Sequence, residues 1–279
     1  MGKKVNIIGA GLTGAISARV LTEQGYDVEV FEQNKIGGMC YQTDKYQKFI
    51  HILHTDNKKV WNFIKQYTDI KPYRHYVWQY GENIKQEYPA YKPKNDEYGF
   101  KVWGTTKTPL DAKKRNTTQF ESFFKDKYQG IPNFQKLFEN LLENIPLYKK
   151  KIKYKDLSGK TILTGNVDEY FKYKYGKLHW RGIASTHIKT KYALPVGQIN
   201  FSDSLIPILR MIDYQRLGFD GYIGIEYPSK GRHYPVRDKI SLERYAKYKK
   251  MAKKNNIVLA GRLGKYKYMD MDKCIEEII

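Results

Sequence analysis

Val5-Asn6-Ile7-Ile8-Gly9-Ala10-Gly11-Leu12-Thr13-Gly14 sets a short apolar run against a turn with glycine at its first, third and sixth positions. Each glycine in such a GxGxxG turn has a physical task. Gly9 permits the tight turn, Gly11 lets the backbone approach a pyrophosphate, and Gly14 lets a helix pack on a strand, while the helix N-terminus supplies donors and a positive dipole. Downstream, Ala15 to Gln24 has helical spacing at Ile16, Val20 and Leu21, and Gly25 ends it. Asp27 to Phe31 then alternates apolar with acidic residues and finishes at Glu32, 18 residues past Gly14, in position to bind ribose hydroxyls. Strand, helix, strand and acid in register predict a dinucleotide site.

Further along, Gly37-Gly38 supplies a second glycine turn, which recurs in flavoproteins and favours FAD over NAD as the dinucleotide. Asp56 is expected to cap a helix from Asn57 to Tyr67. Lys71 to Tyr91 breaks into short alternating segments that suit an antiparallel ribbon, and Lys92 to Thr117 is polar with little periodicity, as a lid or linker would be. Helical spacing returns at Phe134, Leu137, Phe138, Leu141 and Leu142, followed by a strand at Thr161-Ile162-Leu163. Residues 171 to 230 read as short strands. The last part gives a helix from Leu242 to Lys254 capped by Ser241, a strand from Ile257 to Ala260, a Gly-Arg loop, and a helix from about Asp272.

Composition narrows the class. Over 279 residues, 41% hydrophobic and 28% charged content is globular, so wholesale disorder is excluded. Apolar runs such as Val5 to Leu12 fall far short of the ~20 residues of a membrane helix, and the start reads as a strand rather than a signal peptide. A cytoplasmic protein with no membrane partner is the expectation. Cys40 and Cys274 cannot form a disulfide scaffold, and no Cys/His cluster offers a metal site. Fifty Lys+Arg against 29 Asp+Glu leave a net charge of +21, which points to an anionic partner.

Five segments in order then carry a resemblance to the UDP-galactopyranose mutase family of flavoproteins. They are the Gly9 to Gly14 turn; Ile36-Gly37-Gly38 with Tyr41; His51-Ile52-Leu53-His54-Thr55; Tyr128-Gln129-Gly130-Ile131-Pro132; and Gly261-Arg262-Leu263 leading to Tyr266-Lys267-Tyr268-Met269-Asp270. Weaker echoes include Val102-Trp103-Gly104, Thr164-Gly165 with Asp168, Ile199-Asn200-Phe201-Ser202-Asp203, Glu226-Tyr227-Pro228 and Tyr234-Pro235-Val236. Amine-oxidase-like flavoproteins share only the first motifs and the C-terminal Gly-Arg. The resemblance implies an α/β fold: a Rossmann-like FAD-binding domain from residues 1–72, 128–170 and 232–279, an antiparallel β-sheet substrate domain from 73–91 and 171–231, and a small truncated cap over 92–127.

It also implies an isomerase that interconverts pyranose and furanose forms of a nucleotide sugar, UDP-galactose foremost. In that family the N5 of reduced FAD attacks the anomeric carbon, with loss and return of the nucleoside diphosphate. Arg115 and Arg210 resemble the arginines that clamp the diphosphate, a task suited to a planar guanidinium, and His51 resembles the histidine beside the flavin. Tyr98, Trp103, Tyr128, Asn200, Tyr234 and Tyr268 would meet substrate. Gly9, Gly11, Leu12, Thr13, Gly14, Glu32, Gln33, Gly37, Gly38, His51, Gly261, Arg262, Tyr268, Asp270 and Met271 would hold FAD, although Asp270 could equally cap the last helix. No metal is expected. A reductant such as NAD(P)H or a reductase would keep the flavin reduced.

Two departures stand out. Phe49-Ile50 precede His51 where the family has Gly followed by Ala or Pro, and the chain is short between Gln86 and Tyr128, where family members carry a helical domain with dimer contacts. A monomer, or a dimer through another face, is therefore expected. The rival reading is a non-catalytic or differently active basic flavoprotein-like scaffold that binds nucleic acid.

Overall fold

The computed structural model describes residues 2–81, 84–87, 124–153, 156–201 and 206–279. In chain order the described strands are β1 (Lys4–Ile8), β2 (Asp27–Phe31), β3 (Leu53–Thr55), β4 (Ile70–Pro72), β5 (Val77–Gly81), β6 (Ile84–Glu87), β7 (Tyr128–Pro132), β8 (Leu147–Tyr148), β9 (Lys160–Leu163), β10 (Trp180–Lys189), β11 (Gln198–Phe201), β12 (Arg210–Asp213), β13 (Tyr222–Pro235) and β14 (Ile257–Leu259). The helices are α1 (Leu12–Glu23), α2 (Lys58–Tyr67), α3 (Phe134–Leu141), α4 (Val167–Tyr170), α5 (Tyr214–Leu217), α6 (Lys239–Lys254), α7 (Gly261–Gly264) and α8 (Met271–Glu276).

A parallel sheet in the order β14-β9-β1-β2-β8 forms the nucleotide-binding layer. Parallel strands need cover on both faces, and the apolar residues supply it. On one side Val5, Ile7 and Val30 pack with Ile16 of α1, Ile64 of α2 and Leu137 of α3. On the other, Leu163 and Ile257 pack with Val167 of α4 and with Tyr248 and Ala252 of α6. A second sheet, β10-β13-β12-β11-β5-β6, is antiparallel except where β5 meets β11 in parallel, so the expected antiparallel layer is mixed at one seam. The stretch expected to be many short strands is dominated by two long ones, β10 and β13. β3, β7 and β4 make a small antiparallel sheet.

Helix ends correct two local expectations. α2 is capped by Asn57, whose side chain accepts from the Lys59 N–H, while the Asp56 carboxylate accepts from the Lys127 N–H. α6 begins three residues earlier than expected, at Lys239, because Asp238 caps it by accepting from the Ser241 N–H. Asp270 does stand at the N-cap position of α8, but it makes no side-chain capping bond. The α1 exit follows its expected chemistry: Gly25, at φ +83°, donates to Thr22 O while Tyr26 donates to Leu21 O, the paired bonds of a Schellman stop.

The glycine turn is tight enough to test. A Cβ on Gly14 would lie 1.9 Å from the Gly9 carbonyl oxygen, whereas one on Gly11 would meet nothing nearer than Gly37 O at 3.9 Å. We expect Gly14→Ala to lower the urea-unfolding free energy of the apoprotein by roughly 1–3 kcal/mol, the usual cost of overpacking. Gly11→Ala should leave it unchanged. Equal stability of the two variants would contradict the close helix–strand approach.

Candidate functional site

A cleft opens at the carboxyl ends of β9, β1 and β2, the place where open parallel sheets bind ligands. Its floor is made by two glycine turns facing each other. The Gly37 N–H donates to Ala10 O at 2.8 Å, Gly11 and Gly37 form a bridge, and a Cβ on Gly38 would sit 3.6 Å from the Gly11 Cα. Gly37 and Gly38 both have positive φ, +93° and +57°, which glycine adopts without strain. The first turn of α1 carries no acidic side chain, so its N-terminal dipole is available to a phosphate. Side chains are missing where a diphosphate would press against the chain, and the residues fit a dinucleotide.

Glu32 closes one end. It is buried and already engaged: one carboxylate oxygen accepts from the Ala10 N–H at 2.8 Å and the other from the Asn34 N–H at 2.7 Å. The carboxylate therefore braces the first glycine turn as well as facing the cleft beside Gln33. Asn166 Oδ1, from the wall after β9, is buried with no hydrogen-bond partner among the described residues.

At the other end the wall is His51, Met39, Arg262, Met269 and Met271. The His51 ring Nδ1 bonds to Phe49 O at 2.9 Å, and the His51 backbone N–H donates to Gln47 Oε1 at 2.8 Å. Burial pushes the imidazole down from 6.5 to about 4, with the Arg262 and Arg210 charges acting in the same sense and the Phe49 carbonyl against them. His51 is neutral at neutral pH, with Nδ1–H donating to Phe49 and Nε2 as its remaining polar atom. Arg262 donates through Nε and Nη2 to Met269 O, and its guanidinium lies 4.8 Å from the Tyr268 ring and 5.4 Å from the Tyr234 ring. Those rings stack at 6.1 Å, and the Tyr268 hydroxyl donates to Asp270 Oδ1. Asp270 Oδ2 is buried with no partner among the described residues.

The second sheet brings up a charged row. Its register sets Asn200 opposite Arg210, Arg210 opposite Glu226 and Glu226 opposite Ser185, so the four share one face. Arg210 Nε donates to the buried Glu226 carboxylate at 2.6 Å. Segment 47–51 lies on this face: Ser185 Oγ donates to Lys48 O, the Tyr214 hydroxyl donates to Gln47 O, and the Ile50 N–H donates to Glu226 at 3.4 Å. The segment that presents His51 to the cleft is thus held by the sheet that carries Arg210.

Comparison with known sequences settles the lineage. The family profile described as UDP-galactopyranose mutase matches residues 95–268, and a profile for an NAD(P)-binding Rossmann-like domain matches 7–67. The chain belongs to the UDP-galactopyranose mutase family. It is 27% identical to a dTDP-fucopyranose mutase of Escherichia coli, covering 99% of this chain and 96% of that one, and 25% identical to a probable UDP-galactopyranose mutase of Klebsiella pneumoniae, covering 99% and 93%. The first alignment runs over 363 positions, longer than this chain, so segments of the relative have no counterpart here. A crystal structure of reduced UDP-galactopyranose mutase superposes with a TM-score of 0.73 at 14% identity, over 98% of this chain and 93% of that one, which shows the shared fold.

Within this mutase fold the sequence-expected residues separate into groups. Gly9, Gly11, Leu12, Thr13, Glu32, Gln33, Gly37, Gly38, His51, Arg262 and Met271 line one cleft. Gly14 and Gly261 lie behind its wall, where a Cβ on Gly261 would meet Thr13 Oγ1 at 2.5 Å. Tyr234, Tyr268 and Asp270 gather on Arg262, and Asn200 and Arg210 share the charged row. Tyr128 stacks on Trp61 at 5.5 Å and does not line the cleft. His54 pairs through Nδ1 with Asp126 and stacks on Phe124, a structural role. Tyr98, Trp103, Arg115 and all but the last four residues of the 92–127 cap lie outside the described residues.

Sequence reading left Glu226 without a role, although its segment was visible, because only strand register shows what it faces. Cys40 and Cys274 also line the cleft; burial pushes the Cys40 thiol up to about 12, so it stays protonated.

The half-buried histidines give a signed pH dependence. His233 is also pushed down to about 4, by burial and then by Lys48, Arg181 and Arg262. Unfolded histidines take up protons near pH 6.5 and these two only near 4, so the unfolded state binds more protons in between. Apoprotein stability should fall as pH drops from about 6.5 to about 4, and His51→Gln/His233→Gln should flatten that slope in urea titrations at several pH values. An unchanged slope would contradict the neutral state of the two rings. For the charged row, Glu226→Ala removes the buried acceptor of both the Arg210 Nε–H and the Ile50 N–H and should cost roughly 1–3 kcal/mol, the value of a buried hydrogen-bonding group lost; Glu226→Gln should recover most of that loss.

Proposed function

We propose that the protein is an FAD-dependent mutase interconverting pyranose and furanose forms of a nucleotide sugar, most directly a UDP-hexose or a dTDP-deoxyhexose. The observation that carries this is the charged row set beside His51 at the end of a dinucleotide cleft, in a chain whose relatives are named as mutases of those two substrate types. The cleft belongs to a dinucleotide-binding domain drawn from residues 1–72, 128–170 and 232–279, and the row to a sheet domain drawn from 73–91 and 171–231. When bound and reduced, FAD supplies the nucleophile for the anomeric carbon.

The chain's own residues position and stabilise. The glycine turns and the α1 N-terminus hold the cofactor diphosphate, and Glu32 holds its ribose. Neutral His51 offers a hydrogen-bonding nitrogen at the end of the cleft without adding a second positive charge next to Arg262. Arg210, fixed at Nε by Glu226, stabilises charge on the departing nucleoside diphosphate, which is electrostatic work done before the reaction begins. Asn200, on the neighbouring strand, keeps a buried Nδ2 donor with no partner among the described residues, suited to an oxygen-rich sugar nucleotide. Tyr234 and Tyr268, whose rings lie beside the Arg262 guanidinium, are assigned to substrate on this reading, as are Arg115, Tyr98 and Trp103 by their resemblance to family residues.

The direct assay incubates dithionite-reduced protein with UDP-galactose and with dTDP-fucose and separates furanose products by chromatography. Reduced protein should convert one of them and oxidised protein neither; equal turnover in both redox states would sink the proposal. Purified protein should hold about one flavin per chain, and Gly11→Val should abolish that. Arg210→Ala should lower kcat/KM by about 10- to 150-fold, the value of a charged hydrogen bond of roughly 1.5–3 kcal/mol, with flavin content unchanged. Flavin loss in Arg210→Ala would reassign that arginine to cofactor binding or folding.

A further inference from the structure

α6 and the loop 172–177 form one surface outside the cleft. Arg244 Nη1 donates to Lys177 O at 2.7 Å, the Tyr248 hydroxyl donates to Gly176 O at 2.8 Å, and the Tyr175 N–H donates to the Tyr248 hydroxyl at 3.0 Å. These two segments carry ten basic residues, Lys172, Lys174 and Lys177 with Lys239, Arg244, Lys247, Lys249, Lys250, Lys253 and Lys254, against a single acid, Glu243. The whole chain has 50 against 29, so the depletion of acids is local. All ten except Arg244 are exposed.

Two of these charges have an ordinary explanation, since Lys253 and Lys254 in the last turn of α6 complement its dipole. The rest do not. A coding preference for lysine would raise basic content everywhere, but it would not strip acids from one face. Nor would it expose aliphatic side chains there. Ile240 is 53% exposed and Leu242 36%, both in the first turn of α6. At ~100° per residue they flank the solvent stripe that Lys239, Lys247, Lys250 and Lys254 continue along a helix of about 24 Å. None of these residues lines the cleft.

We propose that this face docks the enzyme on an anionic lipid bilayer. Among the described residues no helix is long and apolar enough to cross a membrane, so the contact is peripheral. Lysines near an anionic surface are attracted within about a Debye length. Ile240 and Leu242 enter the headgroup boundary while the long lysine stems keep their charges at its polar edge. Nucleic acid fits the face less well, because single strands are held by exposed stacking rings. The aromatic candidates here, Tyr173 and Tyr175, are half-buried and already packed against Arg232 and Tyr248.

The test is co-sedimentation of the full chain with vesicles of phosphatidylcholine alone and of phosphatidylcholine containing one-third phosphatidylglycerol, at low and moderate salt. Binding should be at least tenfold stronger to the anionic vesicles and should weaken with salt. Lys247→Glu/Lys250→Glu/Lys254→Glu should lose at least tenfold. Lys58→Glu/Lys59→Glu/Lys65→Glu, an equal charge change on exposed α2 positions, should stay within twofold of the parent. Ile240→Ser/Leu242→Ser, which alters no charge, should weaken binding severalfold, and melting temperatures should confirm that every variant is folded. Equal losses in the two lysine triples would reduce the effect to net charge and overturn the proposal. So would unchanged binding in the Ile240/Leu242 variant, or displacement from vesicles by a polyuridine oligonucleotide at equal phosphate concentration.

Discussion

Ala10 is held from both sides, and the rest of the site depends on it. Its N–H donates to the Glu32 carboxylate, and its carbonyl accepts from Gly37. These two bonds join the end of β2 and the second glycine turn to the first turn, and they leave Gly11 and Gly38 facing each other with no side chain between. With Gly14 pressed on Gly9, the backbone has little room to relax. A dinucleotide diphosphate meets a floor whose shape is set before it arrives.

The consequence for chemistry comes through segment 47–51. It leaves the second glycine turn, crosses the face of the six-stranded sheet under bonds from Ser185 and Tyr214, and delivers His51 to the cleft. The same crossing lets Glu226 hold Arg210 on one side and receive the Ile50 N–H on the other. Cofactor floor and charged row are thereby fixed relative to one another through a few residues of backbone. That is the kind of pre-organisation on which electrostatic stabilisation of a leaving group depends. It also explains why Phe49 and Ile50 can stand before His51: the Phe49 carbonyl is used to hold the ring, and its side chain packs with Ile183 and Leu209.

What the sequence made legible follows from how local each constraint is. The Gly9 to Gly14 turn, α1 with its Gly25 stop, and β2 ending at Glu32 all depend on neighbours within a few residues, and they were readable in position and type. The caps of α2 and α6 were misplaced by one and three positions because Asp56 and Asn57, or Asp238 and Ser241, are equally competent caps on paper. Packing decides between them: Asp56 is drawn to the Lys127 N–H, and Ser241 is buried as a donor to Asp238. The pairing of Glu226 with Arg210, the parallel seam between β5 and β11, and the stacking of Tyr128 on Trp61 were not legible. Strand register and ring contacts between distant segments leave no periodic trace in a single sequence.

The central claim is that Arg210 and its row serve a diphosphate that leaves the anomeric carbon and returns to it. Positional isotope exchange tests this most directly, using a nucleotide sugar labelled with heavy oxygen at the bond between the anomeric carbon and the diphosphate. In the reduced protein the label should redistribute into the non-bridging positions of the terminal phosphate at a rate at least matching isomerisation, and Arg210→Ala should slow both together. Isomerisation with the label still in its bridging position would contradict a diphosphate that leaves the anomeric carbon, turns and returns.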